Sequence, residues 1–338
     1  MATSTRVVKA CALAAIIAAA PLLGACSDSK KNSSGNSSVT APSNVPAKAN
    51  VCKPVAGSTL VVLADDKHSQ ASDNIIPAVN KGVAKAPLTD ALNAVSKVLD
   101  QDTLTGLNRQ TSANQKPTSV ASAFVADKKL GDGLSGGSGK IVIGTQNFAE
   151  NETLGYVYQD VLNKAGYSAS VQVIGTRDLL EPALEKNQIQ VVPEYAASLN
   201  SFLAKKQSVA DTSSSDITKT VASLKTLSDK AGFTVLDYAT ATDQNAFSVT
   251  KATSDKYGLA TMSDVASKCG TTGITFGAGA NCPQNVFCAD AIKKTYGITI
   301  DLKPLDYDGA LTRGALKQGR ILIGEVFSAD ADLVKAGS

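Results

Sequence analysis

The chain has 338 residues, 43% of them hydrophobic and 19% charged, with a formal charge of +3, six Cys, one His and no Trp. That length holds one large domain or two lobes with buried cores, which excludes a chain disordered throughout. A charge of +3 is too small to imply nucleic acid, and with His68 as the single imidazole a His-clustered metal site is excluded.

Residues 1–25 read as an export signal. Arg6 and Lys9 give it a positive start, and the apolar stretch 10–23 is too short to span a bilayer comfortably. The end of that stretch, Leu23-Gly24-Ala25-Cys26, resembles a bacterial lipobox. The resemblance implies cleavage before Cys26 and diacylation of its sulfur; an ordinary signal peptide with an incidental Cys is the plainer alternative. Residues 26–58 are then expected to be the lipid anchor and a flexible tether, since Ser, Asn, Lys, Pro and Ala dominate and little can be buried. Two acyl chains would hold the protein stably outside the cytoplasm, on the membrane. Residues 1–25 carry two cations and no acid, so the remaining chain stands at +1 and favours no partner by charge. Besides Cys11 and Cys26 there are Cys52, Cys269, Cys282 and Cys288. An even number in an exported protein points to two disulfides, with three connectivities open. A zinc site is the rival, and it lacks paired C-x-x-C spacing.

The mature chain divides around a second linker. Leu60-Val61-Val62-Leu63 reads as a strand and precedes Asp65-Asp66. Leu88, Leu92, Val95 and Leu99 recur at helical spacing, and 119–129 is a second helix. Residues 131–139 are Gly-rich and read as a flexible joint. Beyond it strand and helix alternate: strand 141–143, helix 152–165, strand 171–174, helix 179–186, strand 189–192. The pattern resumes with strand 246–249, helix 262–268, strand 274–276, helices 289–296 and 311–318, and strand 321–323. Such alternation predicts an α/β fold of parallel sheets with helices on both faces. Ligands of open α/β sheets sit at the carboxyl ends of strands. That places Gln146-Asn147, Gly175-Thr176-Arg177, Glu194-Tyr195 and Phe327-Ser328 at candidate binding edges.

Ile141-Val-Ile-Gly-Thr-Gln-Asn-Phe-Ala-Glu150 resembles the opening strand of the glycine betaine/choline/carnitine substrate-binding proteins of ABC importers. Gly175-Thr-Arg-Asp-Leu-Leu-Glu-Pro-Ala-Leu184, Ile189-Gln-Val-Val-Pro-Glu-Tyr195, Tyr296-Gly297, residues 311–319 and Phe327-Ser-Ala-Asp330 resemble later signatures in family order. The part that normally follows is found at the other end: Leu60-Val-Val-Leu-Ala-Asp-Asp-Lys67, Asn74-Ile-Ile-Pro77 and the helices up to Leu130. The resemblance therefore implies a two-lobe periplasmic-binding-protein fold of type II, circularly permuted, with 131–139 joining the former ends; an unrelated extra domain at 60–130 is the alternative. Lobe one would be 59–130 plus 141–238, lobe two 242–328, and 329–338 a C-terminal tail near the hinge. In this scheme one of the two interlobe crossings is cut. A Cys52–Cys269 disulfide would replace it and leave Cys282–Cys288 to close a short loop, whereas pairing of Cys269 with Cys282 or Cys288 would not.

The resembled family holds a quaternary ammonium in an aromatic cage, where cation–π attraction substitutes for hydrogen bonds the ligand cannot donate. Carried over, Tyr195 matches a cage Tyr and Phe327 stands where another is usual. Asn245 and Arg313 fall at the remaining two positions, or Thr312 and Phe247 face the ligand if the register slips by one. An Arg in the cleft would suit a ligand carboxylate, phenolate or phosphate. Gln146, Asn147, Thr176, Arg177 and Ser198 complete the expected contacts. Each has a plain alternative: Tyr195 as core, Arg313 as a solvated helix face, Arg177 as an interlobe ion pair, Asn245 as a hinge residue. The expected function is a monomeric, lipid-anchored solute receptor that passes a small osmoprotectant-type ligand to an ABC permease, without cofactor, metal or nucleic acid. The alternatives are the same fold binding a different polar or aromatic solute, a structural surface lipoprotein, and, least supported, an enzyme. No Gly-x-Ser-x-Gly elbow, metal-binding His pair or reactive Cys site supports an enzyme.

Overall fold

The computed structural model describes residues 48–306 and 309–335. The export signal, Cys26 and the tether up to residue 47 lie outside the described residues. In chain order the strands are β1 (Leu60–Leu63), β2 (Ile75–Asn80), β3 (Lys140–Gln146), β4 (Ser168–Gly175), β5 (Val191–Tyr195), β6 (Phe233–Val235), β7 (Asn245–Thr250), β8 (Ile274–Gly279), β9 (Ile300–Leu305), β10 (Ile323–Phe327) and β11 (Leu333–Lys335). They form two sheets, β4-β3-β5-β2-β6 in lobe one and β11-β1-β7-β10-β8-β9 in lobe two.

Period-2 burial explains the sheet of lobe one. In β2, Ile75 and Val79 enter one core while Ile76 and Ala78 enter another. The first core is roofed by helices Leu88–Val98, Gln101–Ser112, Pro117–Asp127 and Ala149–Lys164, and the second by Arg177–Glu185, Ala196–Lys206 and Ile217–Lys230. A sheet covered on both faces hides its strands completely, and every residue of β2 and β5 is buried. The sheets are mixed rather than parallel. β3 runs parallel to β4 and β5, and β8 parallel to β9 and β10. β2 and β7, each the first strand after an interlobe crossing, run antiparallel to both neighbours.

Several boundaries differ from the sequence expectation. β1, placed with lobe one by its position in the chain, pairs with β7 and β11 in lobe two. Strand pairing is non-local, so a strand's own residues cannot say which sheet takes it. The chain crosses between lobes at 64–74 and again at 236–244, so neither crossing is cut. Residues 48–58, expected to belong to the tether, form an ordered strap on lobe two. Val51 N–H donates to Cys269 O at 2.8 Å, Val55 N–H to Thr253 Oγ1 at 2.9 Å and Gly57 N–H to Lys317 O at 3.0 Å. The disulfides are Cys52–Cys269 and Cys282–Cys288. Both lie within lobe two, so Cys52–Cys269 pins the strap and does not bridge the lobes. Beyond β10 the chain docks at the lobe junction and then adds β11 beside β1, so 333–335 belong to the sheet of lobe two.

The joint at 131–139 is packed. Gly137 N–H donates to Ala165 O at 2.9 Å and Ser168 N–H to Gly139 O at 2.9 Å. A Cβ on Gly137 would lie 2.6 Å from the Tyr167 ring, which is why that position takes glycine.

Candidate functional site

The edge of lobe one that meets the crossings is built from the ends of β3, β4 and β5. Asn151 Oδ1 accepts from Gln146 N–H at 2.8 Å, and its Nδ2 reaches Pro193 O at 2.9 Å, so one buried amide ties two strand ends together. Gln146 is half-buried and Asn147 exposed at the entrance to helix Ala149–Lys164. Thr176 is exposed beside Gly175, whose φ of 125° turns β4 into the next helix. Arg177 is engaged by an acid of its own lobe. Its Nε and Nη2 donate to the Glu194 carboxylate at 2.8–3.1 Å within lobe one. This fork geometry stabilises an otherwise buried acid. Ser198 binds Asp73 of the first crossing, with N–H and Oγ donating at 3.0 and 2.5 Å. Burial raises the Asp73 pKa to about 6.

Tyr195 is drawn into the lobe junction. It is 5% exposed, its ring centroid lies 6.1 Å from that of Phe148, and its hydroxyl donates to Glu150 Oε1 at 2.8 Å. Asn108 Nδ2 donates to Glu150 Oε2 at 2.5 Å and to Ala329 O at 3.0 Å, while Ala329 N–H donates to Asp243 Oδ1 at 3.0 Å. The Glu150 and Asp243 carboxyls are close enough for the charge of Glu150 to act on Asp243. Desolvation holds both well above the ordinary carboxylate range. Sequence reasoning missed Asp73, Glu150 and Asp243 as junction residues. Their partners lie 42 to 125 positions away in the chain, so no local motif marks them.

The facing edge of lobe two carries the other expected positions. Asn245 and Phe327 are register partners at the ends of β7 and β10. Arg313, in helix Ala310–Lys317, has its Nη1 2.9 Å from Asp330 and its Nε 3.6 Å from Asp332. The guanidinium charge is thus answered by two carboxylates of the same lobe. Asp330 also accepts from Phe327 N–H at 3.0 Å, which fixes the end of β10. One further residue stands out. Glu325 sits in an otherwise apolar strand with Oε1 buried and unpartnered, and burial raises its pKa to about 7. A lone acid within Ile321-Leu-Ile-Gly-Glu-Val-Phe327 was the sequence signal for it. Among the described residues no group of three His, Cys, Asp or Glu is arranged to hold a metal ion.

The gathered edges belong to a known architecture. No curated protein matches the chain. One solved structure it resembles is a substrate-binding protein from Microbacterium hydrocarbonoxydans complexed with 4-hydroxybenzoate hydrazide, at 12% identity over 52% of this chain and 46% of that one, with a TM-score of 0.24. The model of the substrate binding domain of ABC-type glycine betaine transport systems matches residues 55–127 and 139–337, most of the chain. Such domains are the non-enzymatic binding components of importers and act outside the cytoplasm. This chain belongs to that family and has its mixed α/β fold of two sheets with helices.

Proposed function

We propose that the protein captures a small osmoprotectant-type solute between its lobes and delivers it to an ABC permease, held to the membrane through Cys26. The family match over two long segments is the observation that carries this reading. The layout supports it. Strand ends of both sheets meet at the junction, and two peptide crossings allow hinge closure around a ligand. The two matched segments flank the 131–139 joint, where a circular permutation would join the former ends. Ligand contacts are assigned to Gln146, Asn147, Thr176, Phe327 and Asn245 at the two edges, with Arg177, Ser198 and Arg313 shaping the edges through their acidic partners. Tyr195 acts from below, because its hydroxyl is engaged by Glu150.

The test is a thermal-shift and calorimetric screen of the soluble mature chain against glycine betaine, choline, carnitine, amino acids and aromatic acids. A quaternary amine at 100 times its Kd should stabilise the protein by about 2.7 kcal/mol. A panel in which only aromatic acids raise the melting temperature overturns the osmoprotectant reading and keeps the receptor role. Cys26→Ala should release the protein from membranes; retention would defeat the lipid anchor.

A further inference from the structure

We propose that Glu325 is the ligand's counter-charge in lobe two and that it selects a permanently cationic solute without a carboxylate over a zwitterionic betaine. This rests on the cleft reading above and sharpens it. Leu63, Phe247 and Glu325 are register partners in one row across β1, β7 and β10. Leu63 ends β1 just before the first crossing, so the row lies at the edge of lobe two that meets lobe one. Ile323, two residues earlier on β10, and Phe247 both belong to the same apolar core. Side-chain alternation therefore sends Glu325 to that apolar face as well. Its Oε1 has no hydrogen-bond partner, and no described basic side chain is ion-paired with it, while the residue as a whole keeps some exposure.

An ionised carboxylate in such a place costs several kcal/mol unless a cation or donors answer it. The rest of β10 is Ile, Gly, Val and Phe, so an apolar residue would serve the fold better. The missing partner is supplied by a ligand. An organic ammonium sheds its water readily and gains from the half-buried Phe327 at the end of the strand. Arg313 does not compete for Glu325 within the lobe, because Asp330 and Asp332 hold its charge. A betaine would bring its own carboxylate close to Glu325, and like charges at short range are penalised.

The experiment uses choline chloride and glycine betaine as probes, with titration calorimetry on the soluble mature chain. Choline should bind about tenfold or more tightly than glycine betaine, a difference of about 1.4 kcal/mol. Burial holds the free carboxyl near neutrality, so choline affinity should rise between pH 6 and 8 and binding should release a proton, read from heats in two buffers. Glu325→Gln should weaken choline about tenfold or more and abolish the pH slope, with the melting temperature of the free protein unchanged or raised. The wild-type pH slope and proton release need no variant, so the idea stays testable if Glu325→Gln does not fold. Tighter binding of glycine betaine, or choline binding that is independent of pH, overturns the assignment to Glu325 alone. Wild-type protein that binds neither probe overturns this proposal; the osmoprotectant reading falls separately, if carnitine also fails in the wider panel.

Discussion

The two lobes secure their loose segments by opposite means. Lobe one accepts the 131–139 joint by packing: glycines let it lie against Tyr167 and the end of helix Ala149–Lys164, and no disulfide is present in the lobe among the described residues. Lobe two accepts its 48–58 strap covalently, through Cys52–Cys269, and closes a second loop with Cys282–Cys288. The cores explain the difference. Lobe one buries large apolar sets on both faces of its sheet, whereas among the described residues the second face of lobe two has a buried cluster of Leu60, Ala315, Leu316 and Ile321. A small core gains more from a staple, because the staple acts on the unfolded chain and needs no added apolar area.

Removing the staples is the strongest way to break this comparison. Cys52 and Cys269 are 217 positions apart, and the chain-entropy account gives their bridge about 5 kcal/mol. Cys52→Ser with Cys269→Ser should therefore unfold lobe two at much lower urea. The bridge between Cys282 and Cys288 spans 6 positions and is worth about 2 kcal/mol by the same account. Equal losses would show that loop entropy is not what the strap contributes. Between these falls Arg177→Ala in lobe one, which strands the buried Glu194 carboxylate and should cost about 3 kcal/mol. Adding Glu194→Gln should restore part of that loss; no recovery would mean that packing of the Arg stem, not charge, was lost.

Acidity separates the lobe junction from the rest. Burial raises Asp73 to about 6 in the folded protein from an ordinary 3.8, so the folded state keeps a proton that the unfolded chain gives up. Its stabilising contribution is complete below about pH 3.8 and is lost as the pH rises through about 6. Asp73→Asn mimics the protonated form at every pH. Its melting temperature should gain on wild type between pH 4 and 7, and a constant difference would remove Asp73 from the pH response.

Much of the fold was legible in the sequence because its signals are local. Helix 289–296 was read to the residue, since Tyr296-Gly297 supplies a glycine cap with φ of 71°. The sequence reading places no strand at β2, where Pro77 is a residue that argues against a central strand. In the structure Pro77 faces Pro193, and its carbonyl accepts from Leu236 N–H at 2.9 Å, so the missing donor leaves no gap in that pairing. At the site, sequence position located the strand ends but not their electrostatics. Arg177 and Arg313 were visible as cations, while Glu194, Asp330 and Asp332, which engage them, were joined to them only by folding.

The smallest expected effect tests the packed joint of lobe one. Gly137→Ala places a methyl 2.6 Å from the Tyr167 ring and 2.7 Å from Ala165 O, and the backbone oxygen cannot swing aside as a flexible side chain would. A cost of about 1–2 kcal/mol follows from overpacking, read as a lower urea midpoint at unchanged slope. Gly133 has a φ of 80° and open space around it, so Gly133→Ala should cost about 1 kcal/mol through backbone strain alone. A larger loss at Gly137 than at Gly133 separates contact from conformation. If neither substitution moves the midpoint, the joint is a loose connector after all, and lobe one holds its two chain segments together without help from the residues between them.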